Sequence, residues 1–140
     1  MIRNASAIWN GGLRGGNGTM SSESGVLDNT QYSFTTRFEN GIGTNPEELI
    51  AAAHAGCFSM ALSAELERAE LSPESVSTNS TLTFEKTDAG FTITKIHLDV
   101  VAKVADIDEG NFVKIAESAK RGCPVSRVLN AEITMDAKLG

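Results

Sequence analysis

From Ala5 to Phe38 the chain alternates short runs of apolar and polar residues with Gly, Asn and Ser punctuation: SAIW, GGLRGGNG, TMSSESGVL, DNT and then QYSFTTRF. Short β-type runs bounded by such turn residues predict three antiparallel strands, the third ending at Phe38. The glycine-rich GGLRGGNG opens no helix directly and its spacing fits no phosphate loop, which leaves a flexible hairpin connection.

The pattern then changes. Thr44 and Asn45 can cap a helix, Pro46 suits its first turn, and Glu47 and Glu48 sit where the helix dipole favours negative charge. The following LIAAAHAGCFSMALSAELERAE predicts one helix of about 25 residues that stops before Ser72 and Pro73. It is apolar almost all round until Glu65, the mark of a helix buried on most sides, at the centre of the molecule or in a subunit interface.

Val76, Thr78, Ser80, Leu82 and Phe84 share one parity, and TDAG turns the chain back at Phe91, so a second hairpin follows. In the return strand Phe91 and Ile93 fall on one parity and Ile96, Leu98, Val100, Ala102 and Val104 on the other. A β-bulge near Thr94 and Lys95 accounts for the slip. Asp106 or Asp108 caps a further helix carrying Phe112, Ile115, Ala116 and Ala119, with Gly122 closing it. A short helical turn from Pro124 and a last strand, Ala131 to Lys138, complete the pattern. Hairpin-rich blocks on either side of a long helix predict an α+β fold of antiparallel sheets with a long central buried helix, and 140 residues without repeat or linker predict a single domain, 1–140.

Charge narrows the partners. A net charge of −6 leaves no basic stripe for phosphates, which argues against nucleic acid and anionic membrane surfaces. The opening MIRNASAIW lacks the apolar core of a secretory signal, and the apolar stretch Leu49 to Leu66 is interrupted by His54, two serines and Glu65. The expectation is a cytoplasmic protein. Two cysteines are too few for a disulfide scaffold, so in a reducing compartment each serves chemistry or packing.

Cys123, in RGCPVSRVL, precedes a proline that fits the first helical position, so free backbone N–H groups would point at its sulfur and lower its pKa. Filling a cap with a small residue is the plainer role. Cys57, in AHAGCFSMAL, is mid-helix among apolar neighbours, where burial raises a thiol pKa and leaves it inert unless a cation is brought to it. Arg37 is the nearest candidate cation in sequence, with Arg14 second. His54 lies one helical turn before Cys57, either as a partner for a nucleophile or as a hydrogen-bonded core histidine. With only His54, His97 and two cysteines, no metal site and no cofactor is expected.

TNPEELIAAAHAGCFSMAL and RGCPVSRVLNAEIT, together with SSESGVL, TTRFENGIGTNPEEL and EKTDAGFTITKI, resemble the OsmC/Ohr family of thiol-dependent hydroperoxide reductases, and its osmotically inducible OsmC branch in particular. The likeness covers nearly the whole chain. It implies Cys57 as the peroxide-attacking cysteine, Cys123 as its resolving partner, Arg37 as the arginine that holds the thiolate, and Glu47 as the carboxylate that orients the arginine. The Ohr branch takes its arginine from the loop where Arg14 lies; TTRFE favours Arg37. The resemblance also implies an intertwined homodimer with active sites at the subunit interface, a hydroperoxide substrate and an external dithiol reductant. On one unbroken helix Glu47 and Cys57 would be about 15 Å apart, so either the helix breaks or Glu47 reaches the partner's site; the second is preferred.

The mechanism expected is oxidation of the Cys57 thiolate to a sulfenic acid, followed by a Cys57–Cys123 disulfide. Phe38, Phe58 and Met60 would suit an organic hydroperoxide. Two alternatives make different demands. A cysteine hydrolase would pair Cys57 with His54 as base, and a non-catalytic dimeric binding module would leave both thiols inert.

Overall fold

Three strands form an antiparallel sheet in the order β1-β2-β3: Ala5–Asn10, Asn17–Ser22 and Thr30–Ser33. The computed structural model describes residues 1–140, which divide into two compact units, Met1–Leu49 and Ile50–Gly140. In the first unit β1 and β2 are joined across the glycine-rich segment, where Gly11 has φ 87 and the Gly16 N–H closes the turn onto the Gly12 carbonyl at 2.8 Å.

The third strand is shorter than its sequence pattern suggests. It ends at Ser33, and Phe34–Phe38 is a helix, α1, instead of its continuation. The cause is local: the Ser33 hydroxyl accepts from the Thr36 N–H while the Thr36 hydroxyl accepts from the Ser33 N–H, a reciprocal cap that outweighs the β preference of Phe and Thr.

Helix α2 runs unbroken from Pro46 to Arg68, with Asn45 Oδ1 accepting from the Glu48 N–H at 2.8 Å. It closes with Glu70 in the left-handed region at φ 60 and the Leu71 N–H returned to the Leu66 carbonyl at 3.0 Å. By length and composition alone α2 is apolar enough to cross a membrane. Within the chain one stripe of it, His54, Phe58, Leu62 and Leu66, is fully buried, whereas Ala52, Ala53, Gly56 and Met60 are exposed.

In the second unit β4 (Pro73–Thr87) and β5 (Gly90–Val104) form the long hairpin. Its register steps from Thr83↔Lys95 to Phe84↔Ile93, which leaves Thr94 as the extra residue of a bulge. The bulge puts Ile96, Leu98, Val100 and Ala102 on one buried face, where they join Phe58, Leu62 and Leu66 and, from the next helix, Phe112, Ala116 and Ala119 in one core. Each buried Leu or Phe there contributes roughly 1.5–3 kcal/mol. Helix α3 spans Glu109–Gly122, capped by Asp108, whose side chain accepts from the Asn111 N–H; Asp106 is left-handed instead, at φ 61.

One expectation of topology changes. The last strand, β6 (Glu132–Leu139), pairs parallel to β5, from Lys95↔Glu132 to Ala102↔Leu139, so this sheet is mixed and not antiparallel. The chain reaches β6 through α3 and the five-residue α4 (Pro124–Val128), and a strand that returns by a helical crossover runs parallel to its predecessor.

Candidate active site

The first unit holds a charged pair. Arg37 lies in α1 and Glu47 in the first turn of α2, and the guanidinium donates from Nε at 3.0 Å and from Nη2 at 2.7 Å to the same carboxylate oxygen, Oε1. Glu47 is buried, and its Oε2 has no hydrogen-bond partner in the chain. Asn45 sets the spacing of this pair: its Oδ1 caps α2 while its Nδ2 donates to the Thr36 carbonyl of α1 at 2.9 Å, tying the two helices together. Gly41 is required beside them, since a Cβ there would meet Thr35 Oγ1 at 2.6 Å.

Next to the pair is a cleft of about 250 Å³ lined by Trp9, Leu13, Tyr32, Phe34, Phe38 and Arg37. Arg37 stands over the Phe38 ring at 5.4 Å, and Arg14 over Phe34 at 5.0 Å. Of the two arginines considered from sequence, Arg37 is the one paired with Glu47. Phe38 lines this cleft, Met60 is exposed on α2, and Phe58 is a core residue.

The second unit brings the cysteines together. Cys57 comes from the middle of α2 and is partly exposed; Cys123 is buried at the junction of α3 and α4. The junction follows from Pro124: a residue before proline is pushed out of the helical region, so Cys123 takes φ −57, ψ 124 and separates the two helices. Its N–H closes α3 on the Ala119 carbonyl at 2.8 Å, and its sulfur lies 3.1 Å from that of Cys57.

The two thiols are driven apart in acidity. Burial pushes the Cys57 thiol up, and hydrogen bonding to Cys123 and the charge there add to it, against the opposing Val125 N–H. Burial also pushes Cys123 upward, but the Ser126 N–H, Cys57, the Ser126 hydroxyl and the Val125 N–H together draw it below the ordinary thiol value.

His54 does not pair with Cys57. Its Nε2 lies 2.8 Å from the Ser126 hydroxyl, its Nδ1 has no partner, and burial holds it below the usual histidine value. Ser126, three residues beyond Cys123 in CPVS, was not singled out from sequence. The side chains nearest to a metal-binding set are His97, Asp99 and Asp136, on one face of the β5–β6 pair. The two carboxylates are exposed and His97 is half-buried: its Nε2 lies 3.3 Å from Asp99 and 3.2 Å from Asp136, and its Nδ1 is engaged by Thr134 at 2.7 Å.

The family described as OsmC-like protein matches residues 39–138. Over 133 residues the chain is 54% identical to the peroxiredoxin OsmC of Escherichia coli K12, covering 95% of this chain and 93% of that protein. It is 31% identical over 129 residues to the organic hydroperoxide resistance protein OhrB of Bacillus subtilis, covering 90% and 92%. The crystal structure of OhrB from that organism superposes with a TM-score of 0.70 at 25% identity, over 96% of this chain and 98% of that one. Mixed strand order, long helix, paired sulfurs and near full-length matches agree: the chain belongs to the OsmC-like family.

Proposed function

We propose that the protein is a thiol-dependent peroxidase that reduces organic hydroperoxides, and hydrogen peroxide as a smaller substrate, through Cys57 and Cys123. The observation that carries this reading is the 3.1 Å between the two sulfurs, which need move only slightly to bond. The Cys57 thiolate attacks the distal peroxide oxygen, the O–O bond breaks, and the alkoxide leaves and takes up a proton. Cys57 is then a sulfenic acid. The Cys123 thiolate attacks its sulfur, hydroxide leaves as water, and an external dithiol reduces the resulting disulfide. The aromatic cleft beside Arg37 would take the organic part of the substrate.

Cys57, raised by burial, needs a cation, and Arg37 is held by Glu47. Along the unbroken α2 the ten residues from Glu47 to Cys57 occupy about 15 Å. The arginine–glutamate pair of one protomer therefore serves the Cys57 of its partner, and the exposed stripe of Ala52, Ala53, Gly56 and Met60 is covered by the second copy. The two units of each chain act as one domain, 1–140, within a cytoplasmic homodimer that has no need of metal or cofactor.

The hydrolase reading is less well supported, because His54 is engaged with Ser126. Intact mass after one equivalent of cumene hydroperoxide tests the proposal. Loss of two hydrogens per chain is expected. An unchanged mass, or oxygen added to both cysteines without a disulfide, would overturn it.

A further inference from the structure

Two side-chain contacts tie α2 to the segment that carries Cys123. Cys57 reaches Cys123 at 3.1 Å; His54, one turn earlier on α2, reaches Ser126 at 2.8 Å, three residues beyond Cys123. The two contacts run antiparallel, 54 with 126 and 57 with 123, as rungs of one ladder. Both members of the His54–Ser126 rung are buried, and Nδ1 of the ring has no partner. A leucine would continue the apolar stripe of Phe58, Leu62 and Leu66 without the cost of that unpaired nitrogen.

We propose that His54 is a positioning residue: its bond to Ser126 fixes α4 against α2 and so keeps Cys123 within reach of Cys57, an inference that rests on the peroxidase reading above. Apolar packing alone specifies this position weakly. Helix α4 has only five residues; Val125 and Leu129 are partly buried against the core, and Val128 is 77% exposed. Such contacts are non-directional, so a short helix can slide across them at little cost. A hydrogen bond between two buried groups is directional, and breaking it leaves both unpaired, so it selects one register. With no acceptor at Nδ1, the proton sits on Nε2 and the ring donates to the serine oxygen. Ser126 belongs to the first turn of α4, where the Arg127 N–H closes on the Cys123 carbonyl at 3.0 Å. Holding Ser126 therefore holds the backbone of Cys123.

The consequence falls on the second step of the cycle. A sulfenic acid on Cys57 has two fates. In one, the Cys123 thiolate attacks its sulfur, the S–S bond forms as the S–O bond breaks, and hydroxide departs and takes a proton to become water. In the other, a second hydroperoxide transfers an oxygen to the sulfur, leaves as the alcohol, and gives a sulfinic acid that a dithiol does not reverse. Closure is intramolecular and depends on Cys123 being held opposite Cys57, whereas over-oxidation is bimolecular and does not. Loss of the His54–Ser126 rung shifts the partition towards sulfinic acid. It also makes the disulfide easier to reduce, because the effective concentration of one thiol at the other falls.

Two measurements on the full-length protein test this. The first follows sulfenic acid, disulfide and sulfinic acid by dimedone trapping and intact mass at increasing cumene hydroperoxide. In Ser126→Ala and His54→Leu sulfenic acid should form as fast as in wild type but close about tenfold more slowly, with a matching rise in the ratio of sulfinic acid to disulfide. Ser126→Thr and His54→Gln, which keep a hydroxyl and an N–H donor in the same places, should restore most of the loss. The second measurement is the equilibrium of the Cys57–Cys123 disulfide, formed with diamide, against dithiothreitol. It should shift about tenfold towards the dithiol in Ser126→Ala and His54→Leu, a rise in potential of about 30 mV. Wild-type closure and equilibrium in Ser126→Ala, or a His54→Gln protein as impaired as His54→Leu, would overturn the positioning role. Should His54→Leu fail to fold, Ser126→Ala, which loses a single oxygen, decides by itself. If wild type forms no sulfenic acid with the hydroperoxide, the peroxidase reading fails, and the dithiothreitol equilibrium still decides the rung.

Discussion

The sulfur of Cys57, from the middle of α2, lies 3.1 Å from the sulfur of Cys123, which sits between α3 and α4 and 66 residues further along the chain. That contact is inside the van der Waals distance of two sulfurs. Of the two sulfurs, that of Cys57 is partly exposed and that of Cys123 is buried, which suits the roles proposed for them.

Replacing each sulfur should therefore give different failures. Cys57→Ser should abolish peroxide reduction. Cys123→Ser should still consume one equivalent of hydroperoxide and then stop, with Cys57 carrying one added oxygen or over-oxidised. Intact mass before and after a dithiol distinguishes the two, and a Cys123→Ser protein that turns over repeatedly with the dithiol would remove Cys123 from the mechanism.

Arg37→Ala should slow the peroxide step by on the order of a hundredfold or more and raise the Cys57 pKa, since the partly buried thiolate loses the cation proposed for it. Arg14→Ala should do far less, because Arg14 rests over Phe34 and is not the arginine paired with Glu47. Pre-steady-state rates with one organic hydroperoxide compare the two, and the reverse order would assign the thiolate to the glycine-rich loop.

Sharing of the site between protomers has its own signature. A Cys57→Ser chain and a Glu47→Ala chain, each inactive alone, should regain activity when mixed and allowed to exchange, because one of the two sites in a heterodimer then has a native Glu47 and a native Cys57. Confirmed heterodimers that stay as inactive as their parents would place Glu47 in its own chain's site.

Burial of His54 makes the fold sensitive to mild acid. Below about pH 6.5 the unfolded chain protonates this histidine while the folded chain, whose value is lowered, does not. The unfolded state then binds more protons, so stability falls as pH drops from 7 towards 5. His54→Gln, which has no group titrating there, should lose this part of the decline in urea unfolding measured across that range; an unaltered slope would contradict it.

The elements were legible in the sequence wherever the local physics had no competitor. Period-two alternation gave β4 and β5, and the parity slip after Ile93 located the bulge at Thr94, because a strand with one buried face cannot change parity without an extra residue. Pro46 behind Asn45 and Pro124 behind Cys123 placed two helix starts to within a residue, whereas Asp106 and Asp108 were both open as the cap of α3 and the structure selects Asp108. Where two local preferences competed, pattern alone failed: Phe34–Phe38 alternates like a strand, but the Ser33–Thr36 cap made it helix.

What the tertiary structure alone decided is which distant residues meet. Nothing in the sequence pairs His54 with Ser126 and not with Cys57, its neighbour one turn away; the rotation of α2 in the core turns the ring to α4. Nothing in it orients β6 parallel to β5, because the pairing depends on where the α3–α4 crossover returns the chain. The two thiols and the arginine to which the proposed chemistry is assigned were singled out by residue types and motifs. The 3.1 Å between the sulfurs and the clasp of Arg37 on Glu47 come from packing, since periodicity records which face a side chain occupies and not what is brought opposite it.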